Sequence, residues 1–476
     1  MTQSIAKNTS IMTLASIGQK VVAFFYFTLI ARMVGAEDLG KYFFSLSFVA
    51  IFVIFIDLGV TNVLIREGAK MREKIQAYFS TIVSTKLVLA TLVYIAVVIT
   101  IKGLGYPDQT RQLVYLAGIT MIFDSFHITM YGILRALGDL RFEAVGIVCS
   151  QILTLIMGIS FLLFKLPLIY LILAFTIPSV LNACFVCWIL YKKYYIRFVP
   201  QWNKKIFVYL FRIAVPFALA GIFARVYSYI DSMLLSRILG DIAVGLYAIP
   251  YKIAFAFQFI PIALIATVYP RFSAYFVQDN KKLARTFEYT ITYLLLIAFP
   301  IAVGIGILSS DIILLLYTSE YAGAVVPLQV LISSIIFSFI SFPIGALLNA
   351  CNRQTTQTKI VGSVLLINIV FNIILIPKIG VTGAAISALI GNVLLSSIGF
   401  VFVARITSLN YSYLLTTFSK ITLSAAVMGG VVWYINTVAH FLFAILIGIV
   451  IYPIMIYSTH VIKPREYTTI RQVFKQ

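Results

Sequence analysis

The chain has 476 residues, of which 61% are apolar and only 11% are charged. Soluble domains carry about 25% charged residues, so this composition excludes an ordinary water-soluble enzyme and places most of the chain in lipid. The formal net charge of +20 would favour nucleic acid binding in a soluble protein. In a membrane protein, the distribution of the positive charges indicates which loops face the cytoplasm. We therefore expect no nucleic acid partner.

Apolar runs bounded by glycine, proline or charge predict fourteen spanning helices and an all-α integral membrane protein. The first run, Ile11 to Val34, is too long for a cleavable signal peptide and lacks a small-residue cleavage site, so it is interpreted as the first span. The predicted spans are 10–34, 40–65, 78–101, 111–134, 142–165, 168–191, 206–231, 241–268, 285–308, 323–349, 358–377, 381–405, 413–435 and 438–459.

The connectors differ in charge on the two sides of the membrane. With the N-terminus in the cytoplasm, lysine and arginine favour the inner connectors by better than about three to one. This bias predicts that both termini are cytoplasmic. It also supports an even number of spans, because one helix more or fewer in mid-chain would scramble it.

Two distant stretches share a pattern that predicts an internal repeat. Its first copy has Arg32, Gly35, Gly40 and Tyr42, and its second has Arg237, Gly240, Gly245 and Tyr247. A second similarity joins LRALGDLRFEAVG, from Leu134, to LNACNRQTTQTKIVG, from Leu348. Six spans separate the copies, so both halves have one orientation and are related by a pseudo-twofold axis along the membrane normal, with a site where they meet.

The repeat predicts three regions. The N-lobe is expected at 1–203 with spans one to six, and the C-lobe at 204–406 with spans seven to twelve. Residues 407–476 have no counterpart and hold spans thirteen and fourteen with a basic cytoplasmic tail.

Lysine and arginine inside spans are the most informative residues. The repeat aligns Lys20 with Arg225, and Lys252 lies in the eighth span. A charge in the bilayer centre costs at least ~2.5 kcal/mol, so these side chains should face protein or water. If they converge, they form an anion site suited to phosphate or pyrophosphate; alternatively each snorkels or pairs with an acid. Lys86, near the cytoplasmic end of the third span, is expected to snorkel.

Three polar residues in the first four spans have two interpretations each. Asp57 either pairs with Lys20 or Arg66, which would place it at the substrate site, or takes up a proton during transport. Asp124 and His127 share a helical face at spacing i, i+3. They form either a proton relay or a satisfied buried pair.

A further polar set lies in the second half of the chain. Asp231, Asn368, Asn372 and Ser387 are oxygen-bearing side chains within predicted spans. Together they could hold a sodium ion. The asparagines could instead bridge neighbouring helices by hydrogen bonds.

Enzyme signatures are absent from the sequence. It contains no glycine-rich phosphate loop, no Walker motif and no acidic metal-binding pair in a loop. We therefore expect no catalytic residues, no metal site and no cofactor beyond coupling to Na⁺ or H⁺. The outer connectors are also too short to build the catalytic pocket of a glycan polymerase.

Three segments within the 6+6+2 layout carry a family resemblance that covers essentially the whole chain. LIARMVGAEDLGKY, FIDLGVTNVLIREGAK and SYIDSMLLSRILGDIAVGLYAIPYKI resemble the Wzx-type polysaccharide flippases of the multidrug/oligosaccharidyl-lipid/polysaccharide exporter superfamily. The resemblance implies two six-helix lobes around a central cationic cavity. It implies alternating-access transport of undecaprenyl-pyrophosphate-linked oligosaccharide to the outer leaflet of the bacterial plasma membrane, for surface polysaccharides such as O-antigen. A polysaccharide polymerase complex is then an expected partner.

The peptidoglycan precursor flippases of this superfamily have arginines at the place of Lys20 and near Lys252. They place a second arginine near Tyr26, which this chain lacks. The resemblance also implies that spans thirteen and fourteen form a groove for the lipid tail.

The sodium site of some relatives matches Asp231, Asn368 and roughly Ser387, but Asn372 stands where an aspartate is expected. Two other functions are alternatives to the flippase. A cation-coupled multidrug exporter would normally have twelve spans and an acid in the first helix, where this chain has Lys20. A membrane-embedded glycan polymerase would need a large outer loop.

Overall fold

In the computed structural model the described residues are 2–461, without the side chains of residues 2–17, 216 and 217. The basic tail predicted after residue 461 lies outside the described residues. The described chain is almost wholly helical, as predicted, and has no strand within 2–461. Its helices are α1 (Thr2–Asp57), α2 (Val60–Lys70), α3 (Ile75–Gly103), α4 (Asp108–Leu137), α5 (Arg141–Leu163), α6 (Ile169–Tyr194), α7 (Lys204–Leu239), α8 (Asp241–Ala256), α9 (Phe259–Gln278), α10 (Asn280–Ile307), α11 (Ser309–Leu316), α12 (Val325–Ala350), α13 (Gln354–Ile379), α14 (Val381–Ala404), α15 (Tyr411–Val438) and α16 (Phe441–Ser458).

Thirteen helical segments of the described chain are long and apolar enough to cross a membrane. The first of them joins the first two predicted spans, because α1 continues through Gly35 in a non-helical conformation (φ 79°, ψ 170°). The rings of Phe27 and Phe43, on either side of Gly35, lie 6.4 Å apart. A straight helix would separate them by about 24 Å. The chain therefore turns back at Gly35, and α1 supplies both predicted spans.

Two predicted spans are broken where a continuous helix was expected. The second ends at Asp57, because Leu58 and Gly59 have left-handed φ angles of 43° and 78°. The eighth is divided between α8 and α9 around Phe257. Proline lacks an N–H and its ring clashes with the carbonyl group four residues earlier, which for Pro261 is that of Phe257.

The predicted repeat is visible in the backbone. Gly240 (φ 85°, ψ −172°) reproduces the conformation of its counterpart Gly35 (φ 79°, ψ 170°). Each glycine interrupts the helices at the same point of its repeat. Only glycine adopts this region readily, because a side chain would collide with the backbone.

The two similar segments that begin at Leu134 and Leu348 also share a backbone hydrogen-bond pattern. Asp139 N–H donates to Leu134 O at 2.9 Å, and Arg353 N–H donates to Leu348 O at 2.8 Å. These are the six-residue bonds of a Schellman helix end. The left-handed residue is Gly138 (φ 81°) in the first copy and Asn352 (φ 58°) in the second, and asparagine is one of the few residues that tolerate this conformation.

The chain forms two compact units, Met1–Ala248 and Ile249–Gln476. In the first, α4 packs against α6, and α7 packs against α1 and α2. In the second, α12 packs against α10 and α14, and α15 packs against α10 and α16. The three regions expected from the repeat, 1–203, 204–406 and 407–476, stay predictions.

The connector between α4 and α5 is fixed by one carboxylate. Asp139 accepts hydrogen bonds from Arg141 Nε at 3.0 Å, Lys193 Nζ at 2.8 Å and Tyr194 OH at 2.6 Å. Partial burial by itself raises the pKa of Asp139, but these three donors outweigh it and hold the pKa well below its ordinary value.

We expect Asp139→Asn to lower the free energy of unfolding at pH 7 by about 2 kcal/mol, the range for hydrogen bonds to a charged group. A carboxylate with a lowered folded-state pKa stabilises the fold above its unfolded pKa of about 3.9. That stability is lost as the pH falls through the folded-state value. Thermal unfolding in detergent should therefore show a constant deficit above about pH 5 that shrinks below about pH 4. A deficit that grows on acidification would contradict this, and the exposed Asp108→Asn serves as the control.

Candidate functional site

The two cations at equivalent repeat positions both lie in the first compact unit. Lys20 is half-buried on the first arm of α1, and Arg225 is exposed on α7. Within the described residues neither forms an ion pair with a carboxylate. Unpaired charges at this depth are too costly to leave in lipid. That the two side chains face water or a ligand therefore stays a prediction.

Lys252 is half-buried on α8 and belongs to the second compact unit. The structure gives it interactions with neighbouring residues. Its convergence with the other two cations stays a prediction.

Lys86, on α3, forms several hydrogen bonds inside the first unit. Its ammonium group contacts Asp57 Oδ1 at 2.6 Å, Thr129 Oγ1 at 2.6 Å, and the hydroxyl and carbonyl oxygens of Ser125 at 3.0 and 3.1 Å. Thr61 donates a further short hydrogen bond to Asp57. Lys86 is 1% exposed, so this network replaces nearly all of its hydration.

This arrangement corrects two sequence-based interpretations. Lys86 does not snorkel to the interface, because its ammonium group has protein acceptors inside the helix bundle. Asp57 forms an ion pair, but its partner is Lys86 and neither Lys20 nor Arg66. Asp57 remains 24% exposed, and its proposed place at the substrate site is not decided by the pairing.

A weak signal in the sequence indicates this network. Ser125 and Thr129 are spaced i, i+4 and therefore share one face of α4. Small hydroxyl residues on one face of an apolar helix commonly serve as hydrogen-bond partners for a neighbouring helix. The residues of the network lie on separate helices, so the spacing alone does not identify Lys86 as the donor.

Asp124 and His127 lie together on another face of α4. Ser179, on α6, donates a short hydrogen bond to Asp124 Oδ1. The Nδ1 atom of His127 lies 3.6 Å from the same oxygen. The His127 side chain is 15% exposed and that of Asp124 is 43% exposed, so the carboxylate is the more accessible member of the pair.

The residues of the predicted cation site are all buried. Asp231, in the first unit, accepts a hydrogen bond from Tyr247 OH at 2.8 Å. In the second unit, Asn372 donates to the side-chain oxygen of Asn368 at 3.1 Å, so that pair is brought together on α13. Ser387 donates to Gly383 O at 2.9 Å on α14. Within the described part of the chain no three histidine, cysteine or acidic side chains cluster as a metal site would require.

The second unit carries an apolar groove between α10, α15 and α16, with a volume of about 530 Å³. Polar surface is almost absent from it. Its lining includes Pro300, Gly304, Met428, Val432, Gly448 and Tyr452.

Apolar spanning helices and an internal repeat define a multi-pass membrane protein. Its fold is that of solved transporters of the multidrug/oligosaccharidyl-lipid/polysaccharide exporter superfamily. The sequence profile of the polysaccharide biosynthesis protein family matches residues 5–276. The chain belongs to this family. The profile of the MatE family also matches, over residues 216–374.

Three individual proteins illustrate the similarity. The capsular polysaccharide biosynthesis protein CapF of Staphylococcus aureus is 23% identical over 80% of this chain and 95% of its own length. The probable low-salt glycan biosynthesis flippase Agl15 of Haloferax volcanii is 23% identical over 96% of this chain and 95% of its own. The lipid II flippase MurJ in an inward closed conformation superposes with a TM-score of 0.79 at 18% identity, covering 94% of this chain and 98% of its own.

Proposed function

We propose that this protein is a flippase that moves an undecaprenyl-pyrophosphate-linked oligosaccharide from the cytoplasmic to the outer leaflet by alternating access. The observation that carries the proposal is the pair Lys20 and Arg225. They occupy equivalent positions in the two repeats, and neither has a carboxylate partner within the described chain. The family and the names of its relatives, several of them flippases, support the same function.

A pyrophosphate suits such cations chemically. It offers several oxygen acceptors and more than one negative charge, and arginine and lysine provide charge-assisted hydrogen bonds to both. The oligosaccharide would occupy hydrated space, while Lys20 and Arg225 hold the charged group. A contribution of Lys252 to binding the same group stays a prediction. We further propose that Asp57, which is paired with Lys86, contributes to the same binding region.

The lipid tail needs an apolar path during transport. The groove between α10, α15 and α16 has the composition to accept an acyl or isoprenoid chain, since apolar burial is favourable and non-directional.

We place the protein in the bacterial plasma membrane with both termini in the cytoplasm. There it would supply the lipid-linked oligosaccharide to a polysaccharide polymerase complex. Its coupling ion would be Na⁺ or H⁺.

A leaflet-resolved assay in proteoliposomes tests this function. We expect Lys20→Gln and Arg225→Gln each to slow translocation of a fluorescent lipid-pyrophosphate-linked oligosaccharide about ten- to a hundredfold, since a charge-assisted hydrogen bond contributes about 1.5–3 kcal/mol. Lys20→Arg keeps the charge and should retain most of the rate. Arg72→Gln, at an exposed position in the connector before α3, is the matched control.

Two results would overturn the proposal. Wild-type translocation by both Gln variants would remove the cations from the mechanism. Export of drugs without movement of the lipid-linked oligosaccharide would instead assign the chain to the multidrug exporters.

A further inference from the structure

The Asp124–His127 pair has an unfilled hydrogen-bonding capacity. Its two facing atoms, Asp124 Oδ1 and His127 Nδ1, are 3.6 Å apart, which is too long for a hydrogen bond. The Nδ1 atom is buried and has no side-chain hydrogen-bond partner among the described residues. The pair therefore lacks a hydrogen bond between its two facing side chains.

One proton supplies what the pair lacks. A protonated imidazole donates from both ring nitrogens, so Nδ1–H would donate to Asp124 Oδ1. Histidine is the side chain whose ordinary titration lies closest to neutral pH. We propose that Asp124 and His127 together bind a single coupling proton during transport. The proposal rests on the flippase function proposed above.

The neighbouring elements set the charge around this site. The positive charge of Lys86, on α3, disfavours a protonated imidazole at His127. Asp57, on α1, neutralises part of the Lys86 charge. The carboxylate of Glu143, on α5, favours the protonated imidazole and is itself paired with Arg135. Asp124, with its carboxylate oxygen 3.6 Å from the imidazole, has the strongest influence on whether the imidazole is charged, because the attraction of opposite charges falls with distance.

The uncharged neighbours hold the pair in place. The ring of Tyr131 packs edge-on against His127 with centroids 5.6 Å apart. Tyr131 OH donates to Asn182 of α6 at 2.5 Å. Ser179, also on α6, anchors Asp124. The site thus bridges α4 and α6, and Asp124 is its more exposed member.

Proton binding changes the net charge of the pair. Without the proton a carboxylate and a neutral imidazole carry one negative charge, and with it they are neutral. Asp124 lies near the middle of α4, where an uncompensated charge is costly to remove from water. The loaded pair can be closed off from water more easily than the empty one. This difference couples the proton to the conformational cycle.

A direct titration tests the site without any transport substrate. The chain has three histidines, so the variant His440→Asn/His460→Asn leaves only His127. In lipid nanodiscs, ¹⁵N NMR of that imidazole should show a titration that Asp124→Asn weakens about tenfold in proton affinity, or about 1.4 kcal/mol. Asp108→Asn, on the same helix and 84% exposed at its side chain, should leave the titration unchanged.

A transport measurement tests the coupling. In proteoliposomes, an imposed pH gradient should accelerate flipping by the wild-type protein and by Asp108→Asn. It should not accelerate flipping by Asp124→Asn or by His127→Gln, which provides a second variant if one folds poorly. Gradient stimulation that persists in both variants would overturn the coupling role.

The two readouts separate this proposal from the flippase proposal. If His127 titrates identically with and without the Asp124 carboxylate, the proton site is refuted whatever the transport data show. If no protein moves the lipid-linked oligosaccharide but the titration depends on Asp124, the proton site stands and the substrate assignment fails.

Discussion

Replacing Lys86 by methionine will destabilise the first compact unit far more than the loss of an exposed charge would. Removing one partner of a buried ion pair typically costs about 3–5 kcal/mol, because the other charge is left without compensation. In this network the carboxylate of Asp57 would lose its counter-ion, and the oxygens of Ser125 and Thr129 would lose their hydrogen-bond donor. Methionine retains the unbranched chain of lysine without its ammonium group, so the loss mainly reflects polarity rather than volume.

Equilibrium unfolding in mixed micelles measures this loss. Lys102→Met is the matched control, because Lys102 lies on the same helix but is exposed, and it should change stability by less than about 0.5 kcal/mol. The double variant Lys86→Met/Asp57→Asn removes both charges and should recover part of the loss. Equal effects of Lys86→Met and Lys102→Met would mean that the network contributes nothing.

The contrast between Lys86 and Lys20 shows how far the sequence predicts the site. Both are lysines within apolar runs, and the desolvation cost of a charge applies to both. Composition identifies such residues as exceptional. It does not tell which finds a protein partner, because the acceptors of Lys86 come from α1 and α4, whose packing against α3 depends on the whole helix arrangement.

The spans themselves were predictable, because the length and apolar content of a crossing helix follow directly from bilayer thickness. The repeat was predictable too, since Gly35 and Gly240 are required by a backbone conformation that few other residues adopt. The interruption after Asp57 was not predicted. Leu58 has no local preference for its left-handed conformation (φ 43°), but Gly59 (φ 78°) adopts such angles readily, so the break has a local signal that the prediction did not use.

The second large effect concerns the two later glycines of the repeat, Gly40 and Gly245. A Cβ atom at Gly40 would lie 1.8 Å from the carbonyl oxygen of Asp241, and one at Gly245 would lie 1.9 Å from that of Ala36. Ala36 and Asp241 are themselves equivalent positions of the two copies. The copies therefore approach each other backbone to backbone through a self-complementary contact, and the repeated glycines are what permits it.

We expect Gly40→Ala and Gly245→Ala each to lower the free energy of unfolding by about 1–3 kcal/mol, the range for overpacking. The atom in the way is a backbone oxygen, which cannot rotate aside as a side chain can. Gly430→Ala is the control, because no atom lies within 4 Å of a Cβ there. It should be neutral, or stabilising by up to about 1 kcal/mol, since alanine has the better helix propensity.

A double-variant cycle separates a shared contact from two independent defects. If the first alanine methyl group moves the two backbones apart, the second methyl group no longer collides with a carbonyl oxygen. Gly40→Ala/Gly245→Ala should therefore cost clearly less than the sum of the single losses, because residues in one contact do not act additively. Losses that add within about 0.5 kcal/mol would show that each glycine acts alone and that the repeat copies do not share this contact.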